Sequence, residues 1–231
     1  MRRARLERPC PVAFLVDVDD TLLDNDRIER DLRRYLTREV GRERQERYWA
    51  IFEKLRKELG YADYLGALQR YRNEYPRDSH LLAMSAYLID YPFADRLYPG
   101  ALLVLKRFRG WGRTVILTDG DAVFQPRKIQ RSGISRAVDG HALIYIHKER
   151  EIGDIEMRCP AAHYVLIDDK LRILTAFKKA WKNRVTTVFP RQGHYARDKK
   201  IRAAFSKPDV EIGRIGDLLK FDLQELLYES D

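Results

Sequence analysis

Phe14-Leu15-Val16-Asp17-Val18-Asp19-Asp20-Thr21-Leu22-Leu23 is the stretch on which the fold turns. An apolar, partly β-branched run at 12–16 ends in three carboxylates and a hydroxyl. Bounded by polar residues, such a run reads as a buried strand. Acids just past its end are not core packing, because in a parallel α/β sheet ligands bind in the crevice outside the carboxyl ends of the strands. Side chains two apart on a strand share a face, so Asp17 and Asp19 converge. Two carboxylates held together repel unless a cation or a shared proton relieves them. That combination suits a metal site that also does acid–base work.

Outward from this stretch the texture changes twice. From residue 27 to about 90 the apolar positions recur at helical spacing: Ile28, Leu32, Tyr35 and Leu36, then Trp49, Phe52, Leu55 and Leu59, then Tyr64, Leu65, Leu68 and Tyr71. Asp26 is the expected N-cap, and Gly60 and Tyr75-Pro76 punctuate a bundle of roughly four helices. Beyond Pro92, strands and helices alternate. Strands are expected at 113–118, 141–147, 163–168 and 184–189, with a short last one at 209–212. Helices are expected from Pro99, over 126–131 with Gly133 as cap, within 149–159, over 171–181 and over 218–227. The pattern predicts an α/β fold: a Rossmann-like parallel sheet with right-handed crossovers, made of 1–23 and 96–231, with an inserted α-helical domain at 24–95.

Composition bounds the partners. Lysine and arginine number 44 against 35 aspartates and glutamates, a net +9, and 45% of the 231 residues are hydrophobic. Much of the basic excess lies in 27–72, interleaved with glutamates as in Arg42-Glu-Arg-Gln-Glu-Arg47. Mixed signs at helical spacing read as a solvated helix face rather than a nucleic-acid groove, which would interleave aromatics. No apolar run reaches the roughly 18 residues of a membrane span, and the basic start lacks a secretory apolar stretch. The two cysteines, Cys10 and Cys159, suggest no disulfide framework, and a reducing cytoplasm is the default. His141, His147, His163 and His194 show no metal-ligand spacing.

The strand ends carry complementary chemistry. The first supplies Asp17, Asp19 and Thr21, the second Thr118, the third is followed by Lys148, and the fourth supplies Asp168 and Asp169. In a parallel sheet these ends share one edge. This ordered set resembles the four motifs of the haloacid dehalogenase-like hydrolases, and the helical block between the first two resembles the cap domain of one subclass of that superfamily. The resemblance implies phosphoryl transfer through a covalent aspartyl intermediate. Asp17 would be the nucleophile. Asp19 would protonate the leaving oxygen and then activate water. Magnesium would be held by Asp17, Asp168 and the backbone carbonyl of Asp19, a hard oxygen-rich site. Asp169 would be either a further metal-site group or the partner of Lys148. Thr118 would bind a phosphoryl oxygen with help from Asp119, and Lys148, preferred to the helical Lys128, would neutralise nucleophile and phosphate. Thr21, Asp119, Gly120 and Arg191 are the candidate substrate contacts. The dehalogenating members lack an acid at the position of Asp19, so its presence favours a small phosphomonoester. Phosphomutase-type transfer shares every one of these residues, and a nucleic-acid-binding protein retaining the fold is the reading of a different class.

Overall fold

A computed structural model describes residues 10–227. In chain order the elements are β1 (Cys10–Val16), α1 (Asn25–Leu59), α2 (Tyr64–Glu74), α3 (Leu81–Asp90), α4 (Ala101–Arg109), β2 (Arg113–Asp119), α5 (Phe124–Arg131), α6 (Ile134–Ala137), β3 (Ala142–Tyr145), α7 (Ile152–Arg158), β4 (Ala161–Ile167), α8 (Leu171–Trp181), β5 (Val185–Pro190), α9 (Gly193–Arg197), α10 (Lys199–Ala203) and β6 (Val210–Ile212). The strands form one six-stranded sheet in the order β3-β2-β1-β4-β5-β6. Every neighbouring pair is parallel. Val16 registers with Ile116 on one side and Ile167 on the other. The central strands therefore end level, and whatever follows each of them meets at one rim.

Period-two alternation sends successive β1 side chains to opposite layers. Phe14 and Val16 join a core with α4, where the Phe14 and Phe108 rings stack at 4.2 Å. Ala13 and Leu15 join the core under α8, where Tyr164 stacks on Trp181 at 4.0 Å. Burial of each such large side chain contributes about 1.5–3 kcal/mol.

The helical block has a core of its own, built from α1, α2 and α3 with Phe93 and Phe124. Phe52 packs on Tyr64, and Tyr64 packs in turn on Phe124 of α5 at 4.9 Å. The chain enters and leaves the block side by side. Leu23 bridges Leu97 antiparallel, Asp24 N–H donates to the Arg96 carbonyl at 2.8 Å, and Tyr98 N–H donates to the Leu22 carbonyl at 2.9 Å.

Several local expectations are corrected. The block holds three helices, the first broken at Gly41, whose φ of 80° and ψ of 167° interrupt an otherwise continuous run. The N-cap of α1 is Asp24, whose carboxylate accepts from Arg27 N–H at 2.8 Å; Asp26 sits in the first turn. β3 is shorter than 141–147 because it is an edge strand with β2 as its only partner in the sheet. The helix expected over 218–227 is replaced by two 3-10 turns, Ile215–Leu219 and Leu223–Leu226. Asp222 breaks the run by accepting from Gln224 N–H and starting the second turn.

Candidate active site

The three acids following β1 take three different directions. Asp17 N–H donates to the Ile167 carbonyl at 3.0 Å, which fixes it beside the end of β4. Asp20 adopts a left-handed φ of 57°, turning the chain sharply toward α1. Its Oδ1 accepts from the backbone N–H groups of Asn25 and Asp26 at 3.0 and 3.2 Å, so it organises the first turn of α1 rather than the reaction. Burial first, then the neighbouring Asp26 and Asp19 charges, pushes the Asp20 carboxyl up to about 8. Gly193 is required at this turn, because a Cβ there would lie 2.4 Å from Asp20 Cβ.

Lys148 arrives from the end of β3 through a 3-10 turn, Lys148–Arg150. Its Nζ lies 2.6 Å from Asp17 Oδ1, 2.6 Å from Asp168 Oδ2 and 3.0 Å from the Leu117 carbonyl. All three charged side chains are buried. Burial opposes the charge on Lys148, but Asp168, Asp17 and Asp119 outweigh it and hold the ammonium above its ordinary pKa. Asp119 Oδ1 accepts from Lys148 N–H at 2.7 Å and so clamps the turn that presents the lysine. The same environment works the other way on acids: burial raises Asp119, Asp168 and Asp169 above the usual carboxylate range.

Asp17, Asp168 and Asp169 can each offer an oxygen such that the three atoms lie within 4.8 Å of one another. Asp17 Oδ2 and both Asp169 oxygens are buried and have no hydrogen-bond donor. Orphaned buried carboxylate oxygens are costly unless a cation satisfies them. The donor set, oxygen only and anionic, fits a hard divalent ion such as magnesium. The Asp19 carboxylate stands outside this cluster. Its Oδ1 lies 2.5 Å from Lys128 Nζ, which draws it to the cavity side.

A cavity of about 290 Å³ separates the rim of the sheet from the helical block. Asp19, Asp119 and Gly120 line it from the sheet side, Phe124, Gln125 and Lys128 from α5, and Asn25, Arg56 and Tyr64 from the block. A Cβ on Gly120 would fall 2.7 Å from Gln125 Cβ, so glycine alone permits this close approach. Thr118 is buried at the end of β2, and its Oγ1 accepts from Gln125 Nε2 at 2.9 Å. Lys170, directly after the two acids of β4, also faces the cavity. Burial disfavours its charge, but Asp169, Asp17 and Asp168 more than compensate and raise its pKa.

Two candidate substrate contacts are corrected. Thr21 is fully buried and absent from the cavity wall, because the turn folds its N–H back toward the Val18 carbonyl. Arg191 points to the sheet edge, where it pairs with Glu211 at 3.5 Å. Parallel pairing of β5 with β6 brings Glu211 level with the end of β5, and that acid captures the arginine. Four residues of the rim escaped the sequence reading as site members: Gln125, Lys128, Lys170 and Gln192. Gln192 Nε2 donates to the Asp20 and Thr21 carbonyls at 3.2 and 2.9 Å, fastening the turn after β1. The spacing of Gln125 and Lys128, three apart on a helix just after Thr118, is the signal that could have placed both on one face.

A family profile described as haloacid dehalogenase-like hydrolase matches residues 12–181. Among solved structures, a haloacid dehalogenase-like hydrolase from Burkholderia xenovorans LB400 is 60% identical, with a TM-score of 0.88, the alignment covering 93% of this chain and 100% of that one. The hydrolase YfnB from Bacillus subtilis, solved bound to magnesium, is 17% identical with a TM-score of 0.59 over 91% of this chain and 97% of that one. The L-2-haloacid dehalogenase from Xanthobacter autotrophicus is 16% identical with a TM-score of 0.58, over 90% and 96%. At such identities these last two report the fold alone. No curated protein matches this chain.

Proposed function

The chain belongs to the haloacid dehalogenase-like hydrolases, and from that premise we propose that it is a magnesium-dependent phosphatase acting on a small phosphomonoester. The observation that carries this reading is Asp19, a carboxylate on the cavity wall two residues from Asp17. Expulsion of halide needs no proton donor, whereas expulsion of an alkoxide does.

In this reading Asp17 attacks phosphorus and forms an acyl phosphate while Asp19 protonates the departing oxygen. Asp19 then takes a proton from water as the water attacks that acyl phosphate. Lys148, 2.6 Å from Asp17, orients the nucleophile and carries positive charge at the point of transfer. Thr118 and the N–H groups after it hold phosphoryl oxygens. Asp17, Asp168 and Asp169 are the residues that would hold the ion, with the Asp19 carbonyl as a further candidate. Magnesium there would offset negative charge so that an anionic carboxylate can approach an anionic phosphate. The helical block acts as a cap. Asp17 is only 2% exposed, so substrate enters after the block swings away, and closure excludes water during transfer. The cavity volume suits a small metabolite, and a cytoplasmic setting belongs to the same reading.

The test is release of inorganic phosphate from p-nitrophenyl phosphate and from simple alkyl phosphates, with and without magnesium. Halide release from 2-chloropropionate runs in parallel. Phosphate release should require the divalent ion and should fall by about 10³-fold or more in Asp17→Asn, the scale seen when a nucleophile is removed. Halide release without phosphate release would overturn the proposal.

A further inference from the structure

Lys128 is a buried cation that the reaction outlined above leaves without a task. It is 1% exposed, and its Nζ donates to Asp19 Oδ1 at 2.5 Å and to Asn25 Oδ1 at 3.2 Å. One turn earlier on the same face of α5, Gln125 Nε2 lies 3.4 Å from Asp19 Oδ2 and donates to Thr118 Oγ1. Each oxygen of Asp19 is therefore met by a different donor from one short helix.

Neutralisation alone does not account for this. The Asp19 side chain is 24% exposed, so water could solvate it without help. Water cannot fix its direction, and a proton donor must hold its oxygen within hydrogen-bond reach of the atom it serves. The clamp is also connected to the helical block. Asn25 is the first residue of α1. Phe124, adjacent to Gln125, is buried in the block core against Tyr64 and Phe93. Helix α5 thus touches Asp19 with one part of its surface and the block with another.

We propose that Lys128 is a positioning residue: with Gln125 it aims the Asp19 carboxylate, and through Asn25 it ties that aim to the seating of the helical block. The kinetic consequence rests on the phosphatase reading; the structural consequence does not. In the metal-free protein, Lys128→Met keeps the length and apolar stem of the side chain. It leaves Asp19 partly in water, so the fold should survive. Lys128→Arg keeps a donor.

Crystal structures of both variants are the first arm. In Lys128→Met the Asp19 carboxylate should leave its wild-type rotamer or lose order, and in Lys128→Arg it should stay. An unchanged Asp19 in Lys128→Met overturns the proposal whatever the enzyme's substrate. The second arm is kcat/KM with magnesium across esters from p-nitrophenyl to alkyl phosphates, which covers steps up to loss of the alcohol. Lys128→Met should lose about tenfold or more on alkyl esters and less than about threefold on the nitrophenyl ester, since general acid help is worth about 10²–10⁴ and matters most for poor leaving groups. Lys128→Arg should recover part of the alkyl loss. Asn25→Ala should show the same bias more weakly. Equal losses on all esters, or a rise in KM alone, would refute positioning of the acid. If wild type releases no phosphate from any ester, the phosphatase reading fails, and the crystal structures still decide the clamp.

Discussion

Lys148 shows how one side chain can hold a fold and a reaction together. It stands between Asp17 and Asp168, both buried, and no water shares the load. A lysine point charge inside two carboxylates costs desolvation, and breaking such a buried set by removing one member is far worse than never having made it. In Lys148→Met two acids would face each other without relief. In metal-free buffer this variant should be about 3–5 kcal/mol less stable than wild type, read from urea midpoints, and saturating magnesium should recover more stability for the variant than it adds to wild type. Lys148 was legible in the sequence because it follows a strand. Lys128 was not, because an amine inside a helical segment gives no sign of which way that helix faces until α5 is seen lying across the rim.

At the scale of elements, the strand ends were readable and the turns between them were not. Apolar runs broken by acids at Asp17, Asp119 and Asp168 mark the sheet edge whatever the tertiary details. The reach of Arg191 depended on β6, a three-residue strand whose pairing brings Glu211 beside it. Thr21 depended on a left-handed residue, Asp20, that hydrophobic patterning does not reveal. Helix α1 carries the clearest local constraint. Gly41 has a φ of 80° and a ψ of 167° with nothing within 4 Å of where a Cβ would sit. Space is free, so any penalty for a side chain there comes from the backbone. Gly41→Ala should lower stability by about 1–3 kcal/mol, the cost of holding a non-glycine residue in that region. A stabilised variant would mean that the kink is dispensable and the two halves of α1 straighten.

Across the whole molecule, stability is split between the sheet and the block, and the two halves answer differently to acid. The net +9 is partly balanced on the block surface, where Arg42 pairs with Glu46 at 2.8 Å and Arg47 with Glu74 at 2.6 Å. Exposed pairs of this kind contribute little. Asp78 is different, since its side chain is almost fully buried between α2 and α3. Burial works to raise its carboxyl, but the hydrogen bond from the Tyr71 hydroxyl, those from His80 and the charge of Arg44 prevail and hold it down to about 2, against an ordinary 3.8. A lowered folded-state pKa means stability that is complete above pH 4 or so and is lost as pH falls toward 2. Asp78→Asn should therefore unfold more easily than wild type at pH 7, and the gap between their denaturation midpoints should close as pH falls from 5 to 2. A constant gap would remove Asp78 from the acid response. Among the described residues no helix is long and apolar enough to cross a membrane.

The paired crossing at Leu23 and Leu97 has a consequence for how such a chain can be remodelled. Residues bridged across antiparallel strands lie only about 5 Å apart, so the polypeptide that departs at one returns beside it. Joining them directly would shorten a connection of some seventy positions to a hairpin turn, with little loop-closure entropy at stake. Any autonomous module with neighbouring termini could be transplanted into the same socket. Phe124, stripped of its aromatic cover, would be the one side chain needing a polar substitute before the trimmed scaffold stayed in solution.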